Sequence, residues 1–229
     1  MSMSNPWLAL PQEPPYVLPA DKPYLTDYAK VHSDTAYHLD LPPLPFQGQR
    51  DAPIVLLGLN PGYSKENDEK WHKTPEFLEI NQRNYRHDST SEYPLFFLNP
   101  DIEGGSLNGG QNWWHRRLKQ LRKAGYDDKL LSRAFLSVQY VPYRSKSYKH
   151  NPKVLESQKY GFDLVRQAVE RKALIVGLRS EKLWKNAVEE LDGYERFYQL
   201  SNPRYPVLSE KQLGAEKYKE LLNELNKLR

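Results

Sequence analysis

The chain contains no cysteine. That excludes disulfides, iron–sulfur clusters and thiolate chemistry, and makes the cytoplasm the expected compartment. No apolar run approaches the ~20 residues a membrane span needs, so no membrane partner is expected. The opening MSMSNPWLALPQEPP lacks the basic start and apolar stretch of a secretory signal. The familiar catalytic signatures are missing as well. There is no G-x-x-x-x-G-K-[ST] phosphate cradle, no G-x-G-x-x-G after a strand, no G-x-S-x-G elbow and no His–Glu pair at metal-ligand spacing. The six histidines, at 32, 38, 72, 87, 115 and 150, are scattered and read as surface or loop residues. Neither a metal nor a cofactor is expected.

What remains is a chain of 229 residues, enough for one α/β domain with a full core. The net charge of +4 permits nucleic acid as a partner without demanding it. The 16 Tyr and 5 Trp say more, because many adjoin basic residues, as in NWWHRR (112–117) and PYRSKSYKH (142–150). Aromatic rings beside Arg and Lys suit stacking on bases and pairing with phosphates, although the same rings could cover the rim of a small core.

Ten of the 18 prolines fall within the first 53 residues, and the segment NPWLALPQEPPYVLPADKPYL (5–25) is expected to form neither regular helix nor central strand. Trp7, Leu8, Leu10, Tyr16, Val17 and Leu18 are too apolar for a free tail. Residues 1–51 therefore read as an arm packed on a domain of residues 52–229, with a short helix near 26–38. Beyond the arm, strands are expected at 54–58, 134–141, 173–178 and 196–201. Helices are expected at 74–86, 112–123, 152–172, 180–191 and 212–228, with a loop over 93–111. The first of these helices has Thr74 as N-cap and Pro75 in its first turn, and Ser180 is the expected cap of the fourth. Strands separated by helices imply crossovers, hence an α/β chain with a mainly parallel sheet and helices on both faces.

Two turns stand out. The strand IVLL runs into Gly58-Leu59-Asn60-Pro61-Gly62, and the last strand runs into Ser201-Asn202-Pro203-Arg204-Tyr205-Pro206. Glycines let the backbone turn sharply and approach a ligand, and a proline stiffens the turn. Asn is also a common choice in an ordinary strand-to-loop turn. In a parallel sheet, however, both turns would face the edge where ligands bind, each offering an amide that donates and accepts.

This pairing resembles the uracil-DNA glycosylase superfamily, closest to its mismatch-specific uracil/thymine branch. That branch has a first motif G-[IL]-N-P-G, intact at 58–62, and a second motif N-P-S, here Asn202-Pro203 followed by Arg204. Residues 112–126 are similar to the family's N-R-F-W helix, 135–145 to its second strand and 173–184 to its V-x-x-G-x-x-A step. The resemblance covers about residues 52–229 and implies a three-layer α/β/α sandwich with a short, mostly parallel central sheet.

The implied activity is hydrolysis of the N-glycosidic bond of uracil or a related lesion base in DNA, by a monomer that needs no cofactor. The resemblance makes Asn60 and Asn202 the catalytic pair, with Asn60 positioning water. An amide cannot take a proton, so Asn60 would orient water without deprotonating it. The base pocket would comprise Gly58, Leu59, Pro61, Gly62, Tyr63, Phe96, Phe97 and Gln139. Phe97 would stack on the base, by likeness of FLNP (97–100) to the family's F-A-H-P, and Gln139 would read its edge. DNA contacts would come from Arg144, Lys146 and Lys149 in one loop and from Pro203, Arg204 and Tyr205 in the second motif. Two other functions fit the same residues: a non-catalytic member binding nucleic acid or a nucleotide, and an enzyme acting on a free nucleoside.

Overall fold

The computed structural model describes residues 3–25, 36–102, 109–150 and 153–229. The helix expected near 26–38 falls largely outside them. Five strands form one mixed sheet: β1 (Phe46–Gly48), β2 (Ile54–Gly58), β3 (Phe135–Gln139), β4 (Leu174–Gly177) and β5 (Phe197–Gln199). Their order is β1-β3-β2-β4-β5. The β3–β2, β2–β4 and β4–β5 pairs are parallel, and only β1, on the edge, runs antiparallel to β3. β1 lies inside the proline-rich stretch, where no strand is expected. It is possible because the prolines stop at Pro45, whose carbonyl already accepts from Gln139 N at 2.8 Å.

Residues 22–25 are helical although no regular helix is expected there, and the further helices among the described residues are α1 (Lys65–Trp71), α2 (Pro75–Tyr85), α3 (Gly109–Lys123), α4 (Asp128–Ala134), α5 (Glu156–Glu170), α6 (Glu181–Ala187), α7 (Glu210–Leu213) and α8 (Ala215–Asn226). None is long and apolar enough to cross a membrane. α2 starts as its sequence dictates: Thr74 Oγ1 accepts from Phe77 N at 3.2 Å and Pro75 opens the first turn. Ser180 does not cap α6. Its backbone is left-handed, with φ of 58°, and its side chain makes no capping bond. The closing helix is divided, because Gly214 at φ 82° separates α7 from α8. α1 and α4 arise where no helix is expected; Asp127 caps α4 by accepting from Leu130 N at 2.8 Å.

β2 is buried along its whole length, as a parallel strand covered on both faces must be. Ile54 and Leu56 point into one core with Phe77, Trp114, Leu118, Leu131 and Leu221. Val55 and Leu57 point into the other with Tyr160, Leu164, Val165, Ala168 and Trp184. Helices thus cover both faces of the sheet. The arm belongs to the second core. Trp7 is fully buried, stacked on Tyr85 and tilted against Tyr143. The Tyr143 hydroxyl donates to Asp21 at 2.8 Å and accepts from Leu18 N at 3.2 Å, tying the arm to the loop after β3.

The strand order decides where a ligand can sit. From β2 the chain goes first to β3 on one side and later to β4 on the other. The loops leaving these strands diverge, and the crevice between them is the binding place of open α/β sheets.

Candidate functional site

A cavity of about 700 Å³ opens at that point. This is room for a nucleotide-sized ligand. Its floor is the turn 58–62, held by bonds to its neighbours. Gly58 O accepts from Trp184 Nε1 at 2.9 Å and from Tyr140 N at 3.3 Å. Leu59 O accepts from Val141 N at 2.8 Å, and Pro61 O from Ser145 N at 3.3 Å. The turn is therefore stitched to the loop after β3 and pinned from below by a buried tryptophan.

The same stitching orients Asn60. Ser145 Oγ donates its one proton to Ser147 O at 3.0 Å, so it must accept from Asn60 Nδ2, 2.9 Å away. Asn60 Nδ2 also donates to Pro61 O at 3.1 Å. Both bonds engage the nitrogen, which fixes the amide and leaves Oδ1 as its unbonded acceptor on a residue lining the cavity.

Gln139 ends β3 and lines the cavity beside Asn60. Its amide packs directly over Gly58, where an added Cβ would force the Gln139 side chain to swing aside. Phe97 is almost fully buried in a 3-10 turn, Phe96–Leu98, and its ring lies against Gly110 at the start of α3 with no room for a Cβ between them. Phe97, Trp113 and Trp114 make the aromatic wall. Gln47 of β1 accepts from Trp114 Nε1 at 3.2 Å, so the edge strand also supports this wall.

A buried polar cluster forms another wall. Asp68 on α1 and His72 at its C-cap, one turn on, both line the cavity, with Asp68 Oδ1 3.5 Å from His72 Nδ1. The Asp68 carboxylate also accepts from Ser64 N. Burial raises the Asp68 pKa, against the opposing pull of Arg144 and the Ser64 N–H. Burial, then the Arg144 charge, pushes His72 well below the usual histidine range, so it is neutral. Arg144 is only 4% exposed; it donates to Pro42 O at 3.0 Å and Gly62 O at 3.4 Å, and its Nη2 has no partner. Burial lowers its pKa too.

The expected residues are thus partly assembled. Gly58, Leu59, Asn60, Pro61, Gly62, Tyr63, Phe97, Gln139, Arg144 and Lys146 all line the one cavity. Asn202 does not. It is exposed, and its Oδ1 accepts from Arg204 N at 3.0 Å while its own N donates to Gln212 at 2.9 Å. Its amide oxygen thus closes a local Asx turn. Pro203, Arg204 and Tyr205 are also exposed and outside the lining, Tyr205 at 64%. Phe96 packs in the core beneath Phe97, and Lys149 is exposed away from the cavity. Arg144, expected to reach DNA, is buried and braces two backbone segments. His72 is buried, not a surface residue. His87 is half-buried, stacked on Phe46 with its Nε2 2.8 Å from Tyr160 Oη, and burial lowers its pKa to about 4.

Sequence reasoning missed Asp68, His72, Ser145 and Arg179 as lining residues, and marked Trp113 and Arg117 only as members of the aromatic–basic run NWWHRR. The Asp-x-x-x-His spacing of 68 and 72 was the available signal, one helical turn on a single face. Comparison with protein-family models, curated proteins and solved structures finds nothing that matches this chain.

Proposed function

We propose that the chain is a DNA glycosylase on a fold of the uracil-DNA glycosylase type, taking an extruded uracil or related lesion base into this cavity. The observation that carries the reading is the meeting of Asn60, Gln139 and Phe97 at the crevice between the diverging strands. Phe97 offers a ring for stacking, Gln139 an amide for the base edge, and Asn60 Oδ1 an acceptor for a water hydrogen. A base flipped from the helix needs such a combination of apolar walls and few polar groups.

Hydrolysis places the water oxygen on the sugar C1′ as the glycosidic bond breaks and its electron pair leaves with the base. Positive charge develops on the sugar and negative charge on the base, so preorganised dipoles supply much of the stabilisation. The water proton needs an acceptor other than Asn60. Asp68 is the carboxylate among the lining residues, and we assign it that part.

The placement of Asn202 favours a second reading, in which the cavity holds a base without cleaving its bond. Incubation with uracil-containing oligonucleotides, single-stranded and mismatched, separates the two. Release of free uracil with an abasic product is the expected result. Tight, salt-sensitive binding without release would establish the second reading.

A further inference from the structure

Arg117 and Arg179 line the mouth of the cavity, one from the middle of α3 and the other just past β4. The Arg117 guanidinium lies 4.2 Å from the centroid of the Trp113 ring. It makes no hydrogen bond or ion pair among the described residues, and its Nε is buried without a partner. Arg179 is exposed; its Nε donates to Pro203 O at 3.2 Å, which leaves both terminal nitrogens without a protein partner among the described residues. Arg116 immediately precedes Arg117 on the same helix. No carboxylate pairs with any of the three among the described residues, an arrangement of like charges that costs free energy unless an anion joins it. Burial, then the charges of Arg179 and Arg116, pushes the Arg117 pKa down to about 10, so it stays cationic at neutral pH.

We propose that Arg117 and Arg179 form a phosphate site at the cavity mouth, which takes the phosphate of a nucleotide whose base enters the cavity. The proposal rests on the reading that the cavity takes a base, and it supplies the substrate class: a phosphorylated nucleotide, not a nucleoside. Guanidinium groups suit phosphate because their planar forks bond two oxygens at once. The stack on Trp113 holds the Arg117 fork while leaving its edges free.

Calorimetric titration with deoxyuridine, with deoxyuridine 5′-monophosphate, and with a short single-stranded oligonucleotide carrying one uracil and no terminal phosphate tests this. The monophosphate should bind at least about tenfold more tightly than the nucleoside. Arg117→Ala and Arg179→Ala should each remove most of that gain, read in each variant as the ratio of its monophosphate affinity to its own nucleoside affinity. Arg117→Lys, which keeps the charge and loses the fork, should fall between. With the oligonucleotide, the double alanine variant should lower the salt slope of the affinity by about 0.7, the value for one lost phosphate contact on a single strand.

A phosphate effect confined to the monophosphate identifies a free nucleotide's terminal phosphate as the source. An effect with the oligonucleotide identifies a phosphodiester. Either supports the site. Absence of any phosphate-dependent gain in both arms, or its survival in both alanine variants, overturns it. Base release is read separately. A chain that releases no uracil yet shows the phosphate gain loses the glycosylase reading and keeps this site. A chain that releases uracil while both variants bind unchanged loses only this site.

Discussion

The two Asn-Pro turns follow the C-terminal ends of parallel strands and read almost alike, yet they have opposite surroundings. Asn60 sits in a turn whose carbonyls are held by Trp184, Tyr140, Val141 and Ser145, and its amide nitrogen is bonded twice. Asn202 sits in an exposed turn held by Gln212, and its amide oxygen is spent on Arg204 N. β2 lies in the middle of the sheet with neighbours on both sides; β5 is an edge strand. The turn after a central strand can be walled in by two neighbouring loops, and the turn after an edge strand by one. Identical dipeptides therefore give a fixed side chain facing a cavity in one place and a self-bonded one facing solvent in the other.

The largest expected effect breaks this comparison most sharply. Asn60→Ala should lower uracil release about 100- to 1,000-fold, the usual cost of losing one preorganised polar group. Asn202→Ala should change it less than about threefold, since its amide closes only its own turn. Comparable losses in the two variants, measured under single-turnover conditions, would mean that the rim turn moves into the cavity when substrate binds.

Asp68→Asn should lower release by about 100-fold, as removal of a general base does. Asp68 must be ionised to accept a proton, and its pKa is raised by burial. The rate should therefore climb with pH along a limb lying above the ordinary carboxylate range. The groups facing Asp68 on this limb are His72 at the C-cap of its own helix, Arg144 from the loop after β3, the Ser64 N–H, and the His38 charge when protonated. Because His72 is held neutral, that limb should persist in His72→Gln. A pH profile that Asp68→Asn leaves unaltered would remove Asp68 from the reaction.

Stability should divide the turns in the same way. Trp184→Phe removes the bond to Gly58 O and opens space in a fully buried position, which should cost about 2 kcal/mol in urea unfolding. Gln212→Ala removes the bonds around Asn202 at an exposed site and should cost less than about 1 kcal/mol. Equal costs would show that the rim turn is as firmly built as the floor.

The sequence made the floor legible and left its surroundings obscure, for identifiable reasons. An apolar run ending in Gly-Leu-Asn-Pro-Gly announces a buried strand and a tight turn, and Thr74-Pro75 announces a helix start. These are local signals, written in adjacent residues. β1 hides because Phe46-Gln47-Gly48 follows three prolines, and its pairing with β3 depends on residues some ninety positions away. α1 hides because Lys-Glu-Asn-Asp-Glu-Lys-Trp is almost wholly polar, with little apolar periodicity. The burial of Arg144 depends on two carbonyls, Pro42 O and Gly62 O, that no spacing rule connects to it. The two Asn-Pro turns show the limit most plainly. Sequence placed both beyond strand ends, but which strand is central and which is at the edge is a property of the whole sheet.

The most direct test of the central claim needs no turnover. The side-chain amide resonances of Asn60, Gln139 and Asn202 can be followed by NMR as a uracil-containing oligonucleotide with an uncleavable glycosidic bond is added. If the cavity at the central strand takes the base, the Asn60 and Gln139 amide protons should shift and become protected from exchange. Those of Asn202 should stay at their free positions. A shift of Asn202 with Asn60 and Gln139 unmoved would contradict the account.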